Sequence, residues 1–462
     1  MASVANDITQ IGAQLKVKYA PKIVNLVPQN AILQQYRDPD APGFTGNKAE
    51  AGAPVAVPIS WSEAEKMGKY WVVPTKVKSG QGCGYYGTSG DLATLEDALQ
   101  MELVEIRVEG SEFGTRQQVT YKALSTANSA PDKAVSAAAK LVMTDMKDVA
   151  FNRLEIAALW GQSGIGILTS QTASSTTITA LLTAASFSPA IWVASIGARV
   201  QFFTVSGANW TLSHDAGTQA NSWAVVTSVT TSTRTVVFTA NTAWNTTVTY
   251  PAAGAYIAFG GGNGNSVTAG SPATFNEMCG LYTQLTATSG TLFNVNRASY
   301  SLLQGDTFSA GSAPLTKAKV IQAAAKLVDK GNLNDLVLLV APSTWADLAA
   351  EDLSYRMFDS SYSSKKSESG SEELVYNNLN GKIRVVCHPF MKAGFAFLFT
   401  PGHCTWVGSS DVSFTTPGYT GENLFLQIPD KNGIEVRLYA DKAIYHEAPS
   451  QGLVINNIVP AS

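Results

Sequence analysis

Residues 129–164 read SAPDKAVSAAAKLVMTDMKDVAFNRLEIAALWGQSG. Ser129 or its neighbour can cap a helix here, Pro131 falls in the first turn, and Asp132 follows. Val135, Ala138, Val142, Met146, Val149 and Arg153 recur at helical spacing, so their apolar members predict one core-facing stripe. Leu141, Ile156 and Leu159 widen that face, and Gly161 and Gly164 stop the helix. At about 1.5 Å per residue, roughly thirty residues reach about 45 Å. That is a spine on which a fold is built rather than an ordinary core helix.

Upstream of the spine, residues 55–128 read as a long two-stranded excursion. VAVPISW (55–61) alternates, with Pro58 suited to an edge, and MELVEIRVEG (101–110) alternates as the opposing strand. RQQVTYKALS (116–125) continues the extended pattern. The intervening KYWVVPTKVKSGQGCGYYGTSG (69–90) is rich in glycine and aromatics. Trp61, Tyr70, Trp71, Tyr85 and Tyr86 are many aromatics for a segment with no evident core. They are either a small local cluster or anchors for a partner surface, where Trp and Tyr dominate binding energy. Residues 1–54 read as an arm. A short amphipathic pattern (Ile8, Ile11, Leu15) meets Pro21 and Pro28, then the turn-rich RDPDAPGFTGNKAEAGAP (37–54).

Downstream the composition changes. Residues 165–262 are dense in Thr, Ser, Val and Ala and nearly free of charge. GARVQFF, WAVVTSV, RTVVFTA, TTVTY and AYIAF read as short strands of an all-β module closed by GGGNGNS (260–266), whose glycines predict a flexible boundary. Then LTKAKVIQAAAKLVDKGN predicts an amphipathic helix with a Gly stop, and NDLVLLVAPSTWADLAAED a buried strand running into a helix. GKIRVVCHP, GFAFLFTP, NLFLQIP, IEVRLYA and LVINNIVP predict strands in the final quarter. The order of elements makes the chain α+β.

The 462 residues are ample for a sizeable core, at about 150 residues per domain. Charged residues are only 15%, against a usual value of about 25%. A surface poor in charge suits dense packing in an assembly. Net charge is −3, and neither a basic balance nor a basic stripe marks a dedicated nucleic-acid binder. Lys16, Lys18 and Lys22 make the N-terminus locally basic, which fits a solvated helix face. Met1–Gln10 lacks a signal-peptide pattern, so Cys83, Cys279, Cys387 and Cys404 read as reduced thiols, and the Asn209 and Asn245 sequons carry no weight. No stretch approaches 18 apolar residues, which argues against a membrane span.

Catalytic motifs are nearly absent. GGGNGN lacks the Lys-Ser or Lys-Thr of a phosphate loop, and GQSGIG around Ser163 has the wrong spacing for a nucleophile elbow. Cys387-His388 and His403-Cys404 supply the Cys₂His₂ set that zinc favours. Neighbours on a strand point to opposite faces, however, so buried thiols and hydrogen-bonded histidines fit better. Glu372 and Glu373 lie in the polar run SSKKSESGSEE, read as a mobile loop. No catalytic, metal or cofactor set emerges.

Arm, β excursion, spine helix and a mixed region ending in antiparallel strands make an order that resembles the tailed-bacteriophage major capsid fold, first seen in a Hong Kong coliphage. NDLVLLVAPSTWADLAAED, LNGKIRVVCHPFM and DKAIYHEAPSQGLVINN resemble that family's strand-to-helix, G-x-x-V-V and closing-strand phrases. The resemblance covers most of the chain outside 165–262. It implies a shell subunit rather than an enzyme, forming hexamers and pentamers of an icosahedral head around double-stranded DNA. Residues 1–54 would be the N-terminal arm and 55–128 the extended loop over a neighbour. Residues 129–164 would be the spine of a peripheral domain and 165–262 an insertion. Residues 263–462 would be the axial domain, with return strands near 380–410. The partners implied are other copies of the chain, a separate scaffolding protein, a portal, loosely contacted DNA and a possible decoration protein, with assembly in a host cytoplasm. Some members cross-link Lys to Asn, and Lys69, Lys76 and Lys78 lie in the relevant segment, with nothing marking one as reactive. An encapsulin-type shell is the alternative of the same fold. A β-rich adhesin or carbohydrate-binding protein, argued from the 165–262 module and its tryptophans, is the alternative of another class.

Overall fold

A computed structural model of the chain describes residues 33, 57, 59–61, 66–67, 70–80, 83–86, 88, 94, 99–122, 133–174, 176–213, 219–241, 250–261, 264–355, 374–378, 381–414, 426–429 and 431–461. The arm apart from Leu33, Pro58, the capping residues 129–132, His214, Asn245 and the polar run around Glu372 and Glu373 lie outside the described residues. The fold mixes helix and sheet, with sheet predominant.

The long helix spans Lys133–Trp160, 28 residues, or about 42 Å. Its buried row is Met146, Ala150, Leu154 and Ala158, one side chain every four positions. Val149, expected on the buried stripe, is exposed instead. The face is rotated because the helix lies against the strand Gly433–His446, where Met146 and Ala150 meet Val436 and Leu438. Ile156 and Leu159 are buried as expected. The helix ends where the glycines stand. Gln162 and Gly164 take positive φ, and Gly161 approaches Gly280 so closely that a Cβ would lie 2.1 Å from the Met278 carbonyl oxygen.

Gly433–His446 is central to a five-stranded sheet. It pairs antiparallel with Cys404–Ser413, with Ser111–Thr120 and with Leu426–Gln427, while Ser60–Trp61 joins Cys404–Ser413 in parallel. Thus the strands that meet the long helix come from 404–446 and from Ser111–Thr120, whose Phe113 packs beside Met146 and Ala150. Gly381–Cys387 and Ala396–Phe399 sit in a second sheet, so the stretch expected to return near 380–410 is divided between the two.

That second sheet has six strands in the order Thr307–Ala313, Leu453–Ile458, Ala396–Phe399, Leu336–Val340, Gly381–Cys387 and Leu374–Asn378. Both faces are buried, which explains its uninterrupted apolar strands. Leu336, Leu338, Val340 and Leu398 face Val320, Ala323, Leu327 and Leu348 of helices Lys317–Asp329 and Pro342–Tyr355. The alternate residues Val337, Leu339, Phe397 and Phe399 enter the main core with Trp160 and Leu159. The first of these helices is capped by Thr316 and stopped by Gly331 at positive φ.

Residues 166–261 form a closed β-barrel. Gly166–Ser174, Thr177–Leu182, Thr235–Ala240, Ala224–Thr230, Arg199–Ser206 and Tyr256–Gly261 pair antiparallel in that order, and the last returns to Gly166–Ser174. Closure leaves those strands no free edge. Ile178, Leu182, Val236, Phe238, Val226, Val200 and Phe202 are buried, while Thr172, Thr177, Thr179, Thr204 and Thr227 face outward. That alternation accounts for a composition rich in both Val and Thr. Trp192, on the short helix Pro189–Ala194, meets Phe238 edge-on at 5.9 Å. Of the glycines of GGGNGNS expected to be flexible, Gly260 and Gly261 are held, while Gly264 has open space around it. Gly261 takes positive φ against Trp223 and donates to Asn265 Oδ1 at 2.8 Å. Close packing, not mobility, requires glycine at 260 and 261; Gly262 and Asn263 lie outside the described residues.

Among the described residues, no helix is long and apolar enough to cross a membrane.

Candidate functional site

The excursion before the long helix is a hairpin, with different strands from those expected. Tyr70–Ser79 pairs antiparallel with Met101–Val108, from Trp71 opposite Val108 to Ser79 opposite Met101. VAVPISW is not its partner, since Ser60–Trp61 belongs to the five-stranded sheet. The stretch around KYWVVPTKVKS has its own alternation, with Trp71, Val73, Thr75 and Val77 inward, and this overrides its look of a linker. Among the described residues the third strand, Lys66–Met67, pairs with Tyr70 and Trp71 and none pairs on that side of Pro74, a position that tolerates proline.

One face of the hairpin is fixed to the body. Ile106 and Val108 are buried, Arg107 N–H donates to the Phe293 carbonyl at 3.1 Å, and Tyr300 OH donates to Glu102 Oε1 at 2.7 Å. The outer face toward the tip is apolar and open. Leu99, Met101 and Leu103 are 61%, 66% and 58% exposed, and Tyr85 at the tip is fully exposed. Lys76 faces Leu103 across the ladder and Lys78 faces Glu102. Leu99, Met101 and Leu103 thus form an exposed apolar row along one face of the strand.

The five aromatics divide. Trp71 is buried and Trp61 half-buried in the chain's own main core. Tyr70, Tyr85 and Tyr86 are exposed on the hairpin and its tip. Leu99, Met101 and Leu103 were missed as contact candidates because alternation alone reads them as either face of a strand.

The two Cys-His pairs are not one constellation. His403 lies against His446, ring centroids 6.1 Å apart. His388 is buried, and its Nε2 is 2.9 Å from Glu155 Oε1 on the long helix. His388 Nδ1 accepts from Phe390 N–H at 3.1 Å, so the proton sits on Nε2 and is donated to the carboxylate. The same Glu155 oxygen accepts from Leu33 N–H at 2.7 Å, and Trp406 Nε1 donates to the Leu33 carbonyl at 3.4 Å. Lys442, buried over the Trp406 ring and paired with Asp411 at 2.7 Å, completes the group, its ammonium pushed below the usual lysine range by burial. Sequence reading missed Glu155, which stands among apolar residues on the helix, and Leu33, inside the arm. A carboxylate interrupting an apolar stripe was the available signal.

Cys404 and Cys279 are buried, which pushes both thiols up, Cys279 to about 12. Neither is poised as a nucleophile at neutral pH. Among the described residues, no cluster of three or more His, Cys, Asp or Glu could hold a metal ion.

A second polar group joins helix, barrel and sheet. The Arg153 guanidinium lies over the Phe259 ring, and the Lys392 ammonium lies over Trp160, 3.9 Å from the ring centroid, donating to the Gly164 carbonyl at 2.8 Å. Glu277 accepts from Gln162 N–H at 2.7 Å. Burial pushes Arg153 down to about 9 and Lys392 down to about 7, and raises Glu277; the attraction of Glu277 opposes both cation shifts. These groups hold the helix end against the barrel and the Gly164 turn.

Residues 257–442 match the family described as SU10 major capsid protein, from the last barrel strand through five of the six strands of the second sheet into Gly433–His446. No curated protein matches the chain. Among solved structures it is similar to the cyanophage A-1(L) capsid, at 12% identity over 94% of this chain and 99% of that one, with a TM-score of 0.44. It is also similar to the capsid of an empty GTA particle, at 8% identity over 99% and 100%, with a TM-score of 0.45. The holo-SrpI encapsulin complex of Synechococcus elongatus is similar over only 36% of this chain and 60% of that one, at 12% identity and a TM-score of 0.24. At these TM-scores the structural likenesses carry no weight by themselves. The family match, which falls on five strands of the six-stranded sheet and its two helices, supports a capsid shell protein of the tailed-phage kind.

Proposed function

We propose that copies of this chain assemble into the hexamers and pentamers of an icosahedral head enclosing double-stranded DNA. The observation that carries this reading is the open apolar row Leu99, Met101 and Leu103 beside Tyr85 and Tyr86 on a hairpin whose other face is pinned to the body. Such a row gains stability only by lying on a neighbouring subunit. In this reading residues 1–54 are the N-terminal arm, 55–128 the extended loop and 129–164 the peripheral spine. The barrel of 165–262 is an insertion on the outer face, and 263–462 make the axial domain with its return strands. Tyr70, Tyr85 and Tyr86 are inter-subunit contacts, whereas Trp61 and Trp71 support the hairpin from within.

The subunit carries out no reaction and needs no cofactor. A separate scaffolding protein guides assembly in the host cytoplasm, a portal completes the head, and a net charge of −3 keeps contact with DNA loose. The uncharged threonine face of the barrel is open to a decoration protein. The sugar-binding alternative loses support because, among the described residues of the module, Trp192, Trp210 and Trp223 are buried and offer no stacking platform; Trp244 lies outside the described residues. Electron microscopy of the purified chain tests the proposal. Closed polyhedra or rings of five and six are expected, with or without a co-expressed scaffold. A chain that stays monomeric in both conditions would overturn it.

A further inference from the structure

The long helix meets the barrel at a point where one cation is short of acceptors. Lys392, in the loop between Gly381–Cys387 and Ala396–Phe399, is 5% exposed. An ammonium carries three N–H donors. Among the described residues the one oxygen that meets them is the Gly164 carbonyl at 2.8 Å, and the Trp160 ring lies on another side. A charge buried with so few partners is costly, and losing the proton relieves that cost. Gly164 is also where the barrel is rooted. It takes positive φ, and just beyond it Ile165 N–H donates to the Ile257 carbonyl at 2.7 Å and Leu168 N–H to the Ala255 carbonyl at 2.9 Å. Arg153, over Phe259 of the same barrel strand, and Glu277, bonded to Gln162 N–H, are half-buried beside this junction.

We propose that Lys392 is a pH-sensitive latch at the root of the barrel: charged, it strains the junction with the helix end, and discharged, it lets the two close on each other. Burial, opposed by the attraction of Glu277, brings its ammonium from 10.5 down to about 7. The unfolded chain keeps that proton up to about 10.5. Between these values the unfolded chain binds more protons than the folded one, so stability rises with pH, and below about 7 the strain is fully present. The other charged and titratable groups around the ammonium are Glu277, Arg153, Tyr282 of the helix Leu281–Thr286, Tyr256 of the barrel, and His388 earlier in its own loop. Burial holds Tyr282 above its ordinary 10, and His388 is bonded to Glu155.

Hydrogen–deuterium exchange of the full chain from about pH 6 to about pH 8.5, corrected for the intrinsic pH dependence of amide exchange, tests the latch. The Ile165 and Leu168 amides are expected to exchange at least about threefold faster at the acid end, with a step near 7, while Leu336–Val340 shows no step. Lys392→Met, which keeps the length without the charge, is expected to hold the slow value throughout. Glu277→Gln removes the attraction that favours the charged form and is expected to move the step down by at least about 0.5 in pH. A flat profile in the parent chain would overturn the proposal. So would a step that survives in Lys392→Met, which would assign it to another group such as His388, or an unmoved step in Glu277→Gln.

Discussion

Replacing Leu99, Met101 and Leu103 together by Ser strikes the hairpin face on which the shell reading rests. Complete burial of such a side chain contributes about 1.5–3 kcal/mol. Roughly three-fifths of each is still exposed in the subunit, so covering that remainder contributes about 1–2 kcal/mol apiece. The triple variant therefore forfeits about 3–5 kcal/mol per contact, or on the order of a hundred- to a few thousand-fold in association. The subunit concentration at which shells first form should rise by a comparable factor, read by light scattering against concentration with electron microscopy of the products. Thermal unfolding of the unassembled subunit should stay within about 0.5 kcal/mol, because surface changes away from packed features cost little. Shells forming at the parent concentration would refute the reasoning. A marked loss of subunit stability would show instead that the row packs within its own chain.

Three further outcomes follow from the interior. His446 is buried, no partner for its ring nitrogens is found among the described residues, and burial beside His403 pushes it from 6.5 down to about 3. The unfolded chain thus takes up a proton that the folded chain refuses, and stability falls as pH drops from about 6.5 toward 3, by up to roughly 5 kcal/mol in all; acid unfolding followed by tryptophan fluorescence should flatten in this window for His446→Leu, and an unchanged profile would count against the assignment. Gly161→Ala places a Cβ 2.1 Å from the Met278 carbonyl and should cost at least about 1–3 kcal/mol in denaturant midpoints, where an ordinary helix-end glycine would tolerate alanine. Phe238→Ala opens a hole between Trp192 and Phe202 inside the closed barrel and should cost about 3–5 kcal/mol; a loss under 1 kcal/mol would mean the barrel interior is not close-packed.

Elements whose signal is local were legible in sequence. The helix from Lys133 to Trp160 ends at the glycines that had to end it. The strands Arg199–Ser206, Ala224–Thr230, Thr235–Ala240 and Leu336–Val340 stand where period two or an apolar run put them. The face of the helix was misread at Val149, since a stripe of small and branched residues fits two rotations and the strand against it selects one. The hairpin partner was misread because alternation reports that a segment is extended, not what it pairs with.

Composition, periodicity and glycine placement alone determined a spine helix, a β-rich middle and a mixed region in which a buried strand feeds a helix. Each follows from backbone preferences and side-chain spacing within a dozen or so residues. Only the tertiary structure decided that six strands close into a barrel, that Ser111–Thr120 and Gly433–His446 lie side by side, and that Trp71 is buried while Tyr85 is not. It alone brought Leu33, Glu155, His388 and Trp406 to one point from four distant stretches. Those outcomes depend on which surfaces meet across hundreds of residues, and hydrophobic burial, being non-directional, does not write that pairing into any single segment.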